Sequence, residues 1–274
     1  MNLARGRALL YSATTLLALQ MLLVVTGGLV RVTGSGLGCP TWPKCTGESL
    51  VPVQSESEIH TYIEFGNRML TFALFAAAIA TLISGWQRSE IRRLAWFQIL
   101  GIFGQGVLGG ITVLTKLNPI PVAGHLLLSM VLIAGAATLQ FKVGEYQRVD
   151  DNLVGKFLAA SAFLTLIAGT VVTGSGPHAG DWQAPRFGFD LTTVARFHSV
   201  LVSMTLALAI YIALRYPRGA ANWLLAAILG QGFIGLLQWW QGLPQALVGL
   251  HLLGASLFWF ATWRTRLSFK YKRP

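Results

Sequence analysis

The chain has 274 residues, 54% of them hydrophobic and 11% charged, about half the charged share of an ordinary soluble domain. Such a composition excludes a water-soluble globule. The formal charge of +11 raises the question of nucleic acid, and the placement of the charges answers it below.

A helix crossing the hydrocarbon needs about 20 apolar residues at 1.5 Å each. Uncharged runs between neighbouring charges meet this at Ala8–Val30, Met69–Gln87, Leu94–Thr115, Leu117–Phe141, Phe157–Gly180 and Phe197–Leu214. The last run, Gly219–Trp263, is 45 residues long and carries the breaker Gly242-Leu243-Pro244 near its middle, so it reads as two helices. Eight transmembrane helices result. The first is too long for a cleaved signal and lacks a small-residue cleavage pattern.

Eight spans put both termini on one side. That side holds Arg5, Arg7, Arg88, Arg92, Arg93, Lys142, Arg148, Lys156, Arg215, Arg218, Arg264, Arg266, Lys270, Lys272 and Arg273, 15 of the 21 cations, and is expected to be cytoplasmic. Glu48, Glu56, Glu58, Glu64, Asp181 and Asp190 fall on the other. The net charge therefore reflects orientation in a lipid bilayer, and no nucleic-acid partner is expected. Cys39 and Cys45, the only cysteines, lie in the first outer loop, where disulfides persist. A disulfide is expected there, as a staple in the favoured reading and as a thiol-exchange pair in the other.

An internal repeat organises the helices. Thr33-Gly34-Ser35-Gly36 after helix 1 recurs as Thr173-Gly174-Ser175-Gly176 after helix 5. Gln105-Gly106-Val107-Leu108-Gly109 recurs as Gln231-Gly232-Phe233-Ile234-Gly235, and a His follows each Gln by 20 residues, an offset of 126 for both pairs. The expected architecture is all-α: two parallel-repeat four-helix bundles, residues 1–145 and 146–274, joined by the polar stretch Lys142–Lys156. The glycines read mainly as packing residues, and the two glutamines as groups that bond a neighbouring helix.

His125 and His251 occupy the same depth in helices 4 and 8, about two turns from the outer surface. His198 lies near the outer start of helix 6, where helix 2 has Asn67. Two imidazoles from helices 6 and 8 suit axial ligation of haem b, whereas zinc wants three or four donors. A lone buried His more often bonds a carbonyl. In the first bundle His125 faces Asn67, which leaves an iron there open or weakly ligated.

Glu64 sits four residues before Arg68, so it either pairs with it at the membrane edge or faces a bound group as a low-dielectric carboxylate. His60 and His178 read as solvated loop residues. Arg31, Arg186 and Arg196 near the outer interface either snorkel to headgroups or pair with haem propionates.

These residues together resemble the haem A synthase family. The resemblance rests on Gly27 to Pro40, Trp42-Pro43-Lys44-Cys45, Glu64 with Arg68, Gln105 to Gly110, His125, Gly174 to Asp181, His198 and His251, and covers nearly the whole chain. It implies oxidation of the C8 methyl of haem O to a formyl group by successive oxygenation steps, with molecular oxygen and an electron donor. It also implies a haem b cofactor between His198 and His251 and substrate haem on His125. Glu64 would assist the chemistry, and a second membrane enzyme would supply haem O. The expected location is the cell membrane, with the haem sites near the outer face. Asn67 departs from the family pattern, which has an axial His at that position. Two rivals stand beside this reading: a non-catalytic membrane cytochrome b in electron transfer and, last, a transporter, which would show broken midplane helices.

Overall fold

A computed structural model describes residues 3–52, 58–144, 146–149, 153–216 and 219–272. Glu56, Glu145, Arg218 and Arg273, named or bounded above, lie outside the described residues, and Glu58 and Lys272 are described by backbone alone.

Eight long helices follow in order: α1 Leu3–Val32, α2 Glu58–Ser84, α3 Ser89–Leu114, α4 Pro119–Lys142, α5 Leu153–Ser175, α6 Leu191–Arg215, α7 Gly219–Trp240 and α8 Gln245–Lys270. All eight are long and apolar enough to cross a membrane. The chain is a multi-pass membrane protein. Most helices outlast their uncharged runs because a charge does not by itself end a span. The difference is largest at α2, which begins well before Met69: Glu64 and Arg68 neutralise one another inside it. Helix α5 stops at Ser175, short of Gly180, where Gly176-Pro177 cannot continue it.

Capping chemistry sets the re-entries. The Asn118 side chain accepts from the Ile120 N–H with Pro119 in the first turn of α4. Asp190 accepts from the Thr193 N–H at 2.7 Å to start α6, and those bonds hold its carboxyl below the ordinary value. The breaker before α8 is real. Gly242 and Leu243 both have positive φ, 75° and 64°.

Helix α1 packs on α2 and α4, α2 on α3 and α3 on α4, closing a ring, and α5 to α8 close the same ring. The rings meet along α1, α4, α5 and α8. On this seam the Trp259 indole donates to the Met130 carbonyl at 2.6 Å and that of Trp263 to Thr138 Oγ1 at 2.7 Å. At the disulfide end Arg31 donates to the carbonyls of His178 and Thr173, and Gly36 N–H to that of Gly180. At the terminal end β1, Gln147–Arg148, pairs antiparallel with β2, Tyr271–Lys272.

In α4, α6, α7 and α8 the buried residues gather toward the terminal end. In α8 burial starts at Ser256, and in α4 the run from Ile120 to Ser129 has no buried residue before Met130. The two positions differ by 126. Helices α6 and α7 bury Thr205, Ala209, Ile212, Ala221, Leu224 and Ile228, all toward the terminal end. The interior is packed solid there.

Candidate haem chambers

Residues Pro121 to Ser129 of α4 are all half-buried, nine in a row over more than two turns. A helix lining a filled core would bury one stripe and expose the other. Helix α8 shows the same pattern from His251 to Ala255, and no residue of α6 before Thr205 is buried. In α4, α6 and α8 the intramembrane histidines therefore lie in the less closely packed part of each ring, toward the disulfide end.

The imidazoles rest on glycine. A Cβ at Gly109 of α3 would come within 3.2 Å of His125 Cε1, and one at Gly235 of α7 within 3.3 Å of His251 Cε1. One at Gly169 of α5 would come within 3.3 Å of His198 Cε1. A side chain at any of the three would press on the imidazole, which would have to shift by a few tenths of an ångström. The last glycine of each repeated Gln-Gly-x-x-Gly motif, read above as a packing residue, thus cradles a histidine. Gly169 lies in no repeated motif and gave no signal of this kind.

The two glutamines bond as expected, and their partner is specific. Gln105 Nε2 donates to the His125 carbonyl at 3.0 Å, and Gln231 Nε2 to the His251 carbonyl at 2.9 Å. Gly254 makes room for Gln231, whose Oε1 would lie 2.0 Å from a Cβ there. The duplication extends to the turns: Leu117 N–H bonds the Thr112 carbonyl and Leu243 N–H that of Gln238, each at 2.7 Å and each from a positive-φ leucine.

The Nδ1 atoms of His125 and His251 are fully enclosed and lack a hydrogen-bond partner among the described residues. His198 differs. Its Nδ1 lies 3.1 Å from the Thr165 carbonyl, an arrangement that keeps the proton on Nδ1 and leaves Nε2 as a donor to a metal. His198 of α6 and His251 of α8 thus both stand in the second ring, each against a glycine of the helix beside it.

In the first ring Asn67 takes the place of His198. It lies against α1 at Gly27, 4.0 Å from where a Cβ would stand, and its Oδ1 accepts from Thr26 Oγ1 at 2.7 Å. One turn nearer the disulfide end, the Glu64–Arg68 pair forms at 2.5 Å. Glu64 Oε2 also accepts from the Cys39 N–H at 2.7 Å, while Arg68 donates to the carbonyls of Cys39, Thr41 and Lys44. Cys39 and Cys45 form the disulfide. The pair therefore ties the cysteine loop to α2, a role invisible in the helix spacing alone.

His60 and His178 are not merely solvated: His60 Nδ1 lies 2.8 Å from Ser35 Oγ, and His178 Nε2 2.7 Å from the Leu243 carbonyl. Arg186 donates to the carbonyls of Ala184 and Pro177 in its own loop, and Arg196 is exposed on α6. Arg31 joins the two rings through the carbonyls already named.

Residues 11–176 match the family model COX15-CtaA, described as cytochrome oxidase assembly protein. This stretch runs from α1 to the end of α5 and holds Cys39, Cys45, Glu64, Asn67 and His125. The chain is similar to haem A synthases of Shewanella oneidensis, 30% identical over 171 residues, covering 55% of this chain and 50% of that protein. The haem A synthase of Lysinibacillus sphaericus is 31% identical over 147 residues, 50% of this chain and 47% of that one. That of Geobacillus thermodenitrificans is 33% identical over 101 residues, 35% and 31%. The matched stretches span half or less of each relative. With the family model covering well over half of its residues, this chain belongs to the COX15-CtaA family.

Proposed function

We propose that the protein is a haem A synthase, which oxidises the C8 methyl of haem O to a formyl group. The observation that carries this reading is the duplicated four-helix ring with imidazoles laid against glycine, in a chain whose curated relatives are haem A synthases. His198 and His251 would hold a haem b cofactor, whose iron, when bound, supplies one-electron redox chemistry. The Thr165 carbonyl orients the His198 ring for that role.

Substrate haem O would bind in the first ring on His125, its ring seated on Gly109 and its backbone held by Gln105. Glu64 is clamped from one side by Arg68 and from the other by the Cys39 N–H, and so cannot swing. Paired in this way, Glu64 would assist the chemistry by holding the cysteine loop against α2 beside the first ring. Molecular oxygen, an electron donor and a membrane enzyme supplying haem O complete the scheme. By the positive-inside bias the disulfide end faces outward, both termini are cytoplasmic and the chambers lie near the outer face of the cell membrane. Arg31, Arg186 and Arg196 ring that face, where haem propionates would meet them.

The test is expression in cells that make haem O, grown aerobically, with analysis of the extracted haems. Haem A or a hydroxylated precursor is expected. Unchanged haem O beside a redox-active haem b would overturn the synthase reading and favour a non-catalytic cytochrome b, for which the missing His at position 67 speaks.

A further inference from the structure

The three intramembrane histidines are not held alike. His125 and His251 keep an enclosed Nδ1 with no hydrogen-bond partner among the described residues, whereas His198 Nδ1 lies 3.1 Å from the Thr165 carbonyl. A carbonyl oxygen has no proton to give, so the neutral ring carries its proton on Nδ1 and its lone pair on Nε2. Helix α5 uses one lone pair of that carbonyl for its own ladder, and the second is left for His198.

Two helices must keep their register for this bond to persist. Ser161, Thr165 and Gly169 follow at four-residue steps on one face of α5, and His198 and Thr205, seven apart, share a face of α6. These faces meet. His198 lies against Gly169 and the Thr165 carbonyl, and farther toward the terminal end Thr205 Oγ1 lies 2.7 Å from Ser161 Oγ and 3.1 Å from Thr165 Oγ1. Thr205 and Thr165 also reach the Leu201 and Ser161 carbonyls of their own helices, at 2.9 and 3.0 Å, so every hydroxyl proton of the cluster has an acceptor. Thr205 is 1% exposed and Thr165 5%, and buried hydroxyls that bond across helices fix register where lipid supplies no hydrophobic drive.

We propose that Thr205 is a positioning residue for His198: through Ser161 and Thr165 it fixes α6 on α5 so that the Thr165 carbonyl stays on Nδ1, which makes His198 a more electron-rich haem ligand than His251. This rests on the reading of the two histidines as haem ligands, and it adds the residue that tunes one of them. An imidazole that donates its other N–H to a carbonyl is held in orientation and is the more basic ligand, and a more basic ligand favours ferric over ferrous iron. His251 has no such acceptor among the described residues.

The experiment is a spectroelectrochemical titration of the low-spin haem in the full-length protein, purified with its haem in detergent, together with the paramagnetic resonance spectrum of the ferric form. Thr205→Val keeps the side chain's shape and removes the hydroxyl. It should displace the g values and raise the midpoint potential, changing the ferrous-to-ferric ratio at fixed potential by about three- to tenfold, or about 30–60 mV at 59 mV per tenfold for one electron. Ser161→Ala should shift both readouts the same way by less, and it carries the test if Thr205→Val does not fold. Thr205→Ser restores the hydroxyl and should return both to the wild-type values. Ser203→Ala, which removes an exposed hydroxyl bonded to the Ser199 carbonyl of the same helix, should move neither. A merely structural Thr205 would lower the unfolding temperature and leave potential and g values in place; that result, with low-spin haem present, would overturn the inference and spare the haem reading. A wild-type protein without low-spin haem would overturn both.

Discussion

Glu64 and Arg68 form a bond on which a loop depends. Glu64 is 7% and Arg68 21% exposed at the side chain, and between them they engage the backbone of Cys39, Thr41 and Lys44. Arg68→Ala strands the carboxylate and should cost about 2–3 kcal/mol in thermal or denaturant unfolding in detergent, short of the full penalty for a buried pair because Arg68 is partly wet. Reduction of the Cys39–Cys45 disulfide should also quicken, as read by thiol labelling. Gly254→Ala tests the histidine supports: its Cβ would displace the Gln231 amide from the His251 carbonyl, at a cost of about 1 kcal/mol and with a perturbed haem spectrum. At this scale the sequence showed the i,i+4 pair, the repeated Gln and the matched His. It could not show Thr26 against Asn67 or Cys39 against Glu64, since those bonds join residues 41 and 25 positions apart and depend on how loop and helices pack.

The paired turns separate backbone strain from packing. Leu117 and Leu243 have φ of 60° and 64°, a conformation that disfavours leucine. Leu117 is buried with Ala179 and Ala184, beneath the loop that closes the seam, whereas Leu243 has no such cluster. Leu243→Asn should therefore change stability by less than about 1 kcal/mol, because relief of strain offsets lost contact. Leu117→Asn should cost about 2–4 kcal/mol through lost burial. Along the seam, Trp259→Phe leaves the Met130 carbonyl without its indole donor in a fully packed region, and should lower stability by about 1–2 kcal/mol. Helix number and order were readable from uncharged runs because lipid tolerates few charges. The start of α2 was not, since an internal ion pair imitates a boundary.

Across the whole molecule, α4, α6, α7 and α8 bury most of their residues toward the terminal end, while the intramembrane histidines lie toward the disulfide end. Filling each ring with a large flat apolar ligand adds contacts that the protein alone lacks, so loading with haem should raise the unfolding temperature, by an amount that grows with free haem. Parallel repeats and histidines at matched depth could be read from a 126-residue offset. The looser packing around the histidines could not, because an apolar side chain facing lipid, protein or a cofactor reads alike in the sequence.

The central claim is that His198 and His251 clasp one haem in the second ring. The most direct measurement is the low-spin haem spectrum of the purified protein, compared with His198→Ala, His251→Ala and His125→Ala. Loss of the low-spin signal in the first two, and its retention in the third, is the expected result. A signal that survives both His198→Ala and His251→Ala would contradict it.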